Sequence, residues 1–527
     1  MTDTSDRRSP LARRLEPLGQ FGSIFYVTVG ISLVFCLAGV LFTAPFTDAL
    51  ATTVGWIIDG LGWFYLLITA FFLVFVLFLA FGKYGKIRLG GPDEKPEFSR
   101  FAWFAMLFQA GMGIGLLFWG VAQPLLHYRT PPFGQAEAGT PEAARLALQF
   151  SFFHWTLHPW AIYAVVGLAI AYFSFVGGTT SLRVSSVFRP LIGDRVDGPL
   201  GKTIDIISIV ATLFGVAVSL GLGTLQINAG LGEVFGVPSG TVLQMVIIAI
   251  TAVGYMLSAS TPIEKGVNYL SQASIVLAVV LMAYFIVLGP TLLQLNSLTQ
   301  GVGDYLTGLV PMSTNMSAFN PTPWLGEWTI FFWATWIAWA PYVGAFIARI
   351  SRGRTIREFL AGVMLAPTLF TMVWFAVFGA TAIDVDERVG GAISSAAEED
   401  PAVALFTFLD QFPLYLVTAI LALFLIWIFF VAGADAGIIV LGSMSSGELE
   451  PSRTIKLTWG VIMGLLAAIL LLAGGLDALQ HGAILAATPF SIIMLFMCWS
   501  LYRALSEDHA ADQRRSHPSA SRAGTSA

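Results

Sequence analysis

Charge is what this chain has least of. Asp, Glu, Lys and Arg make up 11% of its 527 residues, 56% are apolar, and the mean hydropathy is +0.77. Soluble globular domains carry roughly a quarter charged residues, so that class is excluded. Cysteine is scarcer still: Cys36 and Cys498 are the two, both inside apolar runs. That excludes a disulfide framework or a thiolate metal cluster and leaves two small core residues. Among carboxylates Asp435 alone lies clearly inside an apolar run, and no His-rich or Cys-rich motif accompanies it. A membrane-embedded enzyme, which would need a titratable cluster or metal ligands at depth, is therefore disfavoured. The net charge of −5 says little, because placement of charge outweighs its sum in such proteins. The first 20 residues are polar and do not read as a cleavable signal peptide.

What is present is a succession of apolar runs of about 20 residues or more, each able to cross roughly 30 Å of hydrocarbon. Twelve spans are expected, near 21–45, 57–82, 101–127, 146–175, 203–229, 240–258, 266–290, 327–350, 358–382, 413–442, 455–474 and 479–502. This makes an all-α integral membrane protein, with tails at 1–20 and 504–527 flanking a body at 21–503. Loops on the side of the N-terminus hold 24 of the 27 basic residues, leaving Arg129, Arg145 and Arg388 opposite. Both termini are thus expected in the cytoplasm, and the protein in the cell inner membrane. Residues 291–326 contain no Lys or Arg and read as an interfacial helix plus loop, while 383–412 is acidic and reads as solvated. The Ser-, Ala- and Arg-rich tail from 504 reads as disordered.

Three stretches carry the chemistry. In the eighth span, aromatic residues Phe331, Phe332, Trp333, Trp336 and Trp339 precede Pro341 and Gly344, and the midplane falls near Ala338. Trp336 and Trp339 are too deep for the interfacial belt. Pro341 and Gly344 are where the helix is expected to break, which lipid tolerates only beside a cavity. In the third span Gly111, Gly113 and Gly115 recur at every second residue near the membrane centre, which fits an unwound backbone rather than a helix-packing face. Interrupted spans three and eight are five apart, as an inverted repeat of spans 3–7 and 8–12 behind two extra spans would place them. The fourth span adds Trp155, Trp160 and Tyr163. Aromatics on one helix face are commonly packing; two spans supplying them at one depth beside broken helices favour a cage for a cation. His154 and His158 read as hydrogen-bonded core residues.

These residues resemble the betaine/carnitine/choline transporter family. WATWIAWAPYVGAFIARISRGRTIREF is similar to its eighth-span signature, GMGIGLLFWGVAQP to its glycine stretch, and HWTLHPWAIYAVVG, GGPDEKPEF (90–98) and SLGLGTLQI (219–227) also match. The resemblance implies a leucine-transporter-like fold, a homotrimer, and transport of small quaternary-ammonium or related onium compounds, with no cofactor and no nucleic-acid partner. Carried over by position, it puts substrate on Trp155, Trp160, Tyr163, Trp336 and Trp339, with Gly111, Met112, Gly113 and Gly115 of the glycine stretch. Ala110, Met112, Thr212, Tyr342 and Asp435 become candidates for ion coupling.

Departures matter here. Thr335 stands where members often have another tryptophan, Gln123 replaces a common glutamate, and Gly115 replaces an aspartate found in some choline or carnitine carriers. Ala432, Gly433 and Val216 lack the hydroxyls of sodium-coupled members, yet Ser274 is not the arginine of sodium-independent exchangers. The coupling ion, Na+ or H+, stays open. A trimethylammonium group has no N–H to donate, so aromatic faces hold it where hydrogen-bond acceptors cannot, at about 0.5–2 kcal/mol per ring. A carboxylate at its other end suits the free amides of an unwound segment, and a net-neutral zwitterion needs no counter-charge. The expectation is ion-coupled uptake of a solute such as glycine betaine. A choline carrier, a carnitine/betaine exchanger, or a non-accumulating channel or sensor are the alternatives.

Overall fold

The computed structural model describes residues 21–111, 113–178, 183–260 and 264–516. Almost every element is a helix, and the described residues contain no strand beyond an isolated bridge between Arg88 and Thr355. In chain order the main helices are α1 (Ser23–Leu41), α2 (Thr43–Phe81), α3 (Arg100–Gly111), α4 (Ile114–Arg129), α5 (Pro141–Trp155), α6 (Leu157–Phe175), α7 (Pro199–Phe235) and α8 (Thr241–Ser260). They continue as α9 (Glu264–Leu288), α10 (Thr291–Thr314), α11 (Phe331–Ile350), α12 (Ile356–Arg388), α13 (Ala392–Glu399), α14 (Ala404–Leu409), α15 (Tyr415–Ser446) and α16 (Arg453–Ser516).

Nine helices among the described residues are long and apolar enough to cross a bilayer, ten if the bent pair Ala273–Leu288 and Thr291–Thr314 counts as one span. The expected third span is not among them because it divides into α3 and α4. The expected eleventh and twelfth spans fall within α16, which breaks at Gly474 and Gly475, the latter at φ +59°, a backbone conformation that favours glycine.

Local chemistry accounts for the helix ends. Thr140 accepts the amide of Ala143 at 3.2 Å ahead of Pro141 at the first helical position. Thr355 and Glu358 form a reciprocal capping box at the start of α12. Before α11, Leu325–Ile330 winds as a π-helix.

Four expectations need correction. The eighth span does not break at Pro341 or Gly344: α11 is continuous from Phe331 to Ile350, with Pro341 inside it. Gly344 serves packing instead. A Cβ there would lie 2.7 Å from Val166 Cγ1 and 2.9 Å from the Gly167 nitrogen, so its absence lets α11 and α6 touch. The fourth span, expected as one helix, is interrupted at Thr156 (φ −112°, ψ −115°), between α5 and α6. The acidic segment 383–412, expected as a loop, is mostly helical; Glu387 accepts the Tyr128 hydroxyl at 2.6 Å and Asp386 accepts the Ser394 amide at 2.8 Å, while Glu398, Glu399 and Asp400 are exposed as expected. Nor does order end at 503, since α16 runs to Ser516 and Ser506 hydrogen-bonds Tyr84 at 2.8 Å.

Candidate functional site

The glycine stretch unwinds as expected. α3 stops at Gly111 and α4 resumes at Ile114, with Gly113 extended at φ −136°, ψ −172° and open space where its side chain would be. Helix ends leave amides without intrahelical partners, and those at the start of α4 carry the positive end of its dipole. Met112, and the side chain of Ala110, lie outside the described residues.

Against this opening the structure gathers aromatic rings from α5, α6 and α11. Trp155 meets Trp336 edge to face at 4.9 Å between centroids, Trp336 meets Tyr163 at 6.1 Å, and Tyr163 meets Trp160 at 5.5 Å. Four of the five expected rings thus form a continuous chain. Gly115 abuts it: a Cβ there would sit 2.8 Å from Trp155 Cη2, so the position is glycine because the indole occupies the space. Trp339 is turned elsewhere, its ring against Tyr342 at 5.5 Å and its Nε1–H donating to the Gly215 carbonyl at 2.6 Å. It joins α11 to α7 and has no ring contact with the other four.

Two further rings belong to the cluster. Phe332 stacks on Trp336 and contacts Trp155 at 5.6 Å, and Phe375 of α12 contacts Trp155 at 5.7 Å. Phe332 was visible in the eighth-span run; nothing in the sequence distinguished Phe375 from other apolar residues of α12. Behind the rings lies a polar layer. Gln123 hydrogen-bonds His154, His127 and Trp155, and His154 reaches Thr329 at 3.0 Å. The sequence showed Gln123 as a departure from the family's common glutamate, with nothing to indicate its partners. His154 and His158 are buried and bonded, the latter to Ser313 at 3.0 Å.

The ion-coupling candidates sit apart from the rings. Thr212 is buried in α7 with its hydroxyl donating to Ser208 at 2.9 Å. Val216, one turn on, packs against α15 so closely that a Cβ on Gly437 would be 3.2 Å from Cγ2. Asp435 of α15 is buried near Ser258 and Lys456, and the Tyr342 hydroxyl lies within its electrostatic reach. No group of three or more His, Cys, Asp or Glu side chains gathers as a metal site among the described residues.

Long apolar helices, one of them unwound at mid-span beside a buried cluster of aromatics, define the class: a multi-span membrane transporter, not an enzyme. The chain belongs to the betaine/carnitine/choline transporter family, whose model matches residues 23–510. It is 48% identical over 495 residues to the glycine betaine transporter OpuD of Bacillus subtilis, covering 93% of this chain and 96% of that one. It is 40% identical to an ectoine/hydroxyectoine transporter of Virgibacillus pantothenticus, covering 92% and 96%. An osmo-dependent choline transporter, BetT2 of Acinetobacter baylyi, shares 38% identity over 92% of this chain and 71% of its own length.

Proposed function

We propose that this transporter takes up glycine betaine or a closely related zwitterionic onium solute, driven by an ion gradient. The observation that carries the reading is the chain of rings Trp160, Tyr163, Trp336 and Trp155 set against the unwound backbone at Gly113. Ring faces attract a methylated cation through their quadrupoles, and the free amides at the start of α4 suit the carboxylate. Gly115 and Gln123 leave these positions uncharged, which favours a net-neutral substrate over choline. Relatives named for glycine betaine and for ectoine, both zwitterions, agree with that preference. A choline carrier is the second reading, on the strength of the relative named for choline.

The rest of the reading is an inner-membrane symporter with both termini cytoplasmic, assembled as a homotrimer, with the coupling ion Na+ or H+. Basic residues crowded on one side support the orientation. The test is uptake of radiolabelled glycine betaine into proteoliposomes under separate sodium and proton gradients, with choline and ectoine as competitors. Accumulation under either gradient, inhibited by ectoine more strongly than by choline, is expected. Flux that only equilibrates would make the protein a channel or sensor, and preference for choline would favour the second reading.

A further inference from the structure

The side chain of Gln123, fully buried in α4, faces three partners at once. Its Oε1 accepts the indole Nε1–H of Trp155 at 2.8 Å, and its Nε2 lies 2.8 Å from His154 Nδ1 and 3.1 Å from His127 Nε2. The indole nitrogen can only donate, so the oxygen of the amide must face Trp155 and its nitrogen the two histidines. Both amide hydrogens are then used, and His154 Nδ1 and His127 Nε2 must each be an acceptor. Both rings are therefore neutral, with the proton of His154 on Nε2, where it can donate to Thr329, and that of His127 on Nδ1. Glutamine is the side chain that offers one acceptor and two donors in this geometry; leucine offers none, and a carboxylate offers acceptors alone.

The consequence reaches the aromatic cluster by two routes. Trp155 is held at opposite edges, its N–H by Gln123 and its Cη2 edge against Gly115, which leaves the plane of the ring no freedom to turn. His154 is held by Gln123 and stacks on Phe332 at 4.9 Å, and its backbone carbonyl accepts the Nε1–H of Trp336 at 2.9 Å. Two indoles from different helices are thus linked to one amide, Trp155 directly and Trp336 through His154.

We propose that Gln123 is a positioning residue of the substrate site, fixing the plane of Trp155 through its N–H and the seat of Trp336 through His154. The proposal rests on the reading of these rings as the onium site. It concerns how the rings are aimed, not contact between Gln123 and substrate. A glutamate at this position would keep the role: a carboxylate keeps the acceptor for Trp155, and each histidine can exchange tautomers, His127 because its Nδ1 has no other partner and His154 because the Thr329 hydroxyl can donate or accept.

The test is a mutant cycle on the full-length protein in detergent, with glycine betaine binding measured by titration calorimetry. Gln123→Leu, which removes three buried hydrogen bonds, should weaken binding by at least about tenfold, whereas Gln123→Glu should stay within about threefold of the parent. Trp155→Phe removes the N–H but keeps a ring. In that background Gln123→Leu should cost less than it does in the parent, because the Trp155 bond is already gone and only the His154 route to Trp336 is left to lose. If Leu does not yield folded protein, Gln123→Met supplies an apolar side chain of the same length. In parallel, the Trp155 indole N–H resonance, assigned by its loss in Trp155→Phe, should shift in Gln123→Leu and hold its place in Gln123→Glu. Full-strength binding by Gln123→Leu, costs that multiply in the double variant, or an unmoved indole resonance would each overturn the proposal. A parent that binds no betaine would instead overturn the substrate reading, and the indole resonance would still decide the role of Gln123.

Discussion

The Nε1–H of Trp336 on α11 donates to the backbone carbonyl of His154 on α5, 2.9 Å away and 182 residues earlier in the chain. That bond sits at the interruption between α5 and α6, where Thr156 leaves helical geometry. A straight fourth span would tie the His154 carbonyl into its own helix ladder. The interruption frees it for Trp336, and so ties the two aromatic stretches into one cluster.

Trimming a ring of that cluster should weaken glycine betaine binding while leaving the fold intact. Trp336→Ala, Trp160→Ala and Tyr163→Ala should each cost on the order of 1–2 kcal/mol, or roughly five- to thirtyfold in affinity. Trp336→Phe should retain more, since a face remains. Trp339→Ala separates two roles, because its ring contacts Tyr342 and its N–H holds α7. A binding loss without a change in melting temperature assigns it to the substrate, and the reverse assigns it to the α7–α11 contact. Calorimetry and thermal melts on the same preparations make the comparison. Unchanged affinity in all three alanine variants would remove the cluster from the site.

Gly344 should be intolerant of any side chain. Its missing Cβ is the space in which α11 meets Val166 and the backbone of Gly167, and backbone atoms cannot step aside as a flexible side chain can. Gly344→Ala should cost about 1–3 kcal/mol of stability through overpacking, and Gly344→Leu should not yield folded protein. Thermal melts in detergent decide this. A melting temperature at parental level for Gly344→Leu would show that α11 and α6 cross more loosely than this close approach requires.

How much of this was legible beforehand differs between those two glycine-bearing spans. The break between Gly111 and Ile114 could be read because glycine at every second residue matches no helix face. Pro341 and Gly344 carried the same residue types but the opposite meaning: a proline inside a packed helix is tolerated when neighbours cover it, and a glycine opposite another glycine permits close approach. Only the partner helix distinguishes the two cases, and α6 lies more than 160 residues away in sequence. Trp160, Tyr163 and Trp336 were readable from their depth, and Trp155 from the family resemblance. Gln123 was not, because its role depends on three partners from α4 and α5 converging on one amide.

The loop between α2 and α3 is stapled to the loop after α11, and one staple is titratable. Glu94 accepts the Gly91 amide at 2.8 Å and the Arg352 guanidinium at 2.5 Å. The Gly91 amide, and then Arg352, hold its carboxyl below the ordinary carboxylate value. A depressed folded-state pKa gives stability that is present above the unfolded value, about 4.3, and is lost as pH falls through the lower folded one. Glu94→Gln should therefore melt below the parent at neutral pH, and the gap should close as pH drops below about 4. The effect is small, since the pair is exposed to solvent. A gap that widens on acidification would reverse the sign and exclude the bond as its source.

Topology can be checked by labelling. Single cysteines at positions 352 and 395, in a background lacking Cys36 and Cys498, should react with an impermeant maleimide from opposite sides of the membrane. Position 352 lies among Arg349, Arg354 and Arg357, and position 395 in the acidic α13 segment. Labelling of both from one side would overturn the orientation drawn from the basic residues.

Val216 is where the proposed ion coupling can be tested. A sodium ion is a hard cation that takes oxygen ligands, and the α7–α15 contact has little to give it. The Thr212 hydroxyl donates to the Ser208 carbonyl and keeps its oxygen lone pairs as one ligand, while Val216 presents an isopropyl group to Gly437 and supplies none. Val216→Thr changes shape hardly at all while adding an oxygen, and its hydroxyl can bond back to the Thr212 carbonyl if no ion comes. Uptake by the parent should persist when sodium is replaced by potassium at a fixed inward proton gradient. Val216→Thr should make the same uptake steeper in sodium, with half-saturation at a lower concentration. Asp435 is a buried titratable group two residues before Gly437 on α15, so Asp435→Asn should abolish the proton-driven component in the parent. Steep dependence on low-millimolar sodium in the parent, undiminished by Asp435→Asn, would show that backbone carbonyls suffice for the ion and that the missing hydroxyls are of no account.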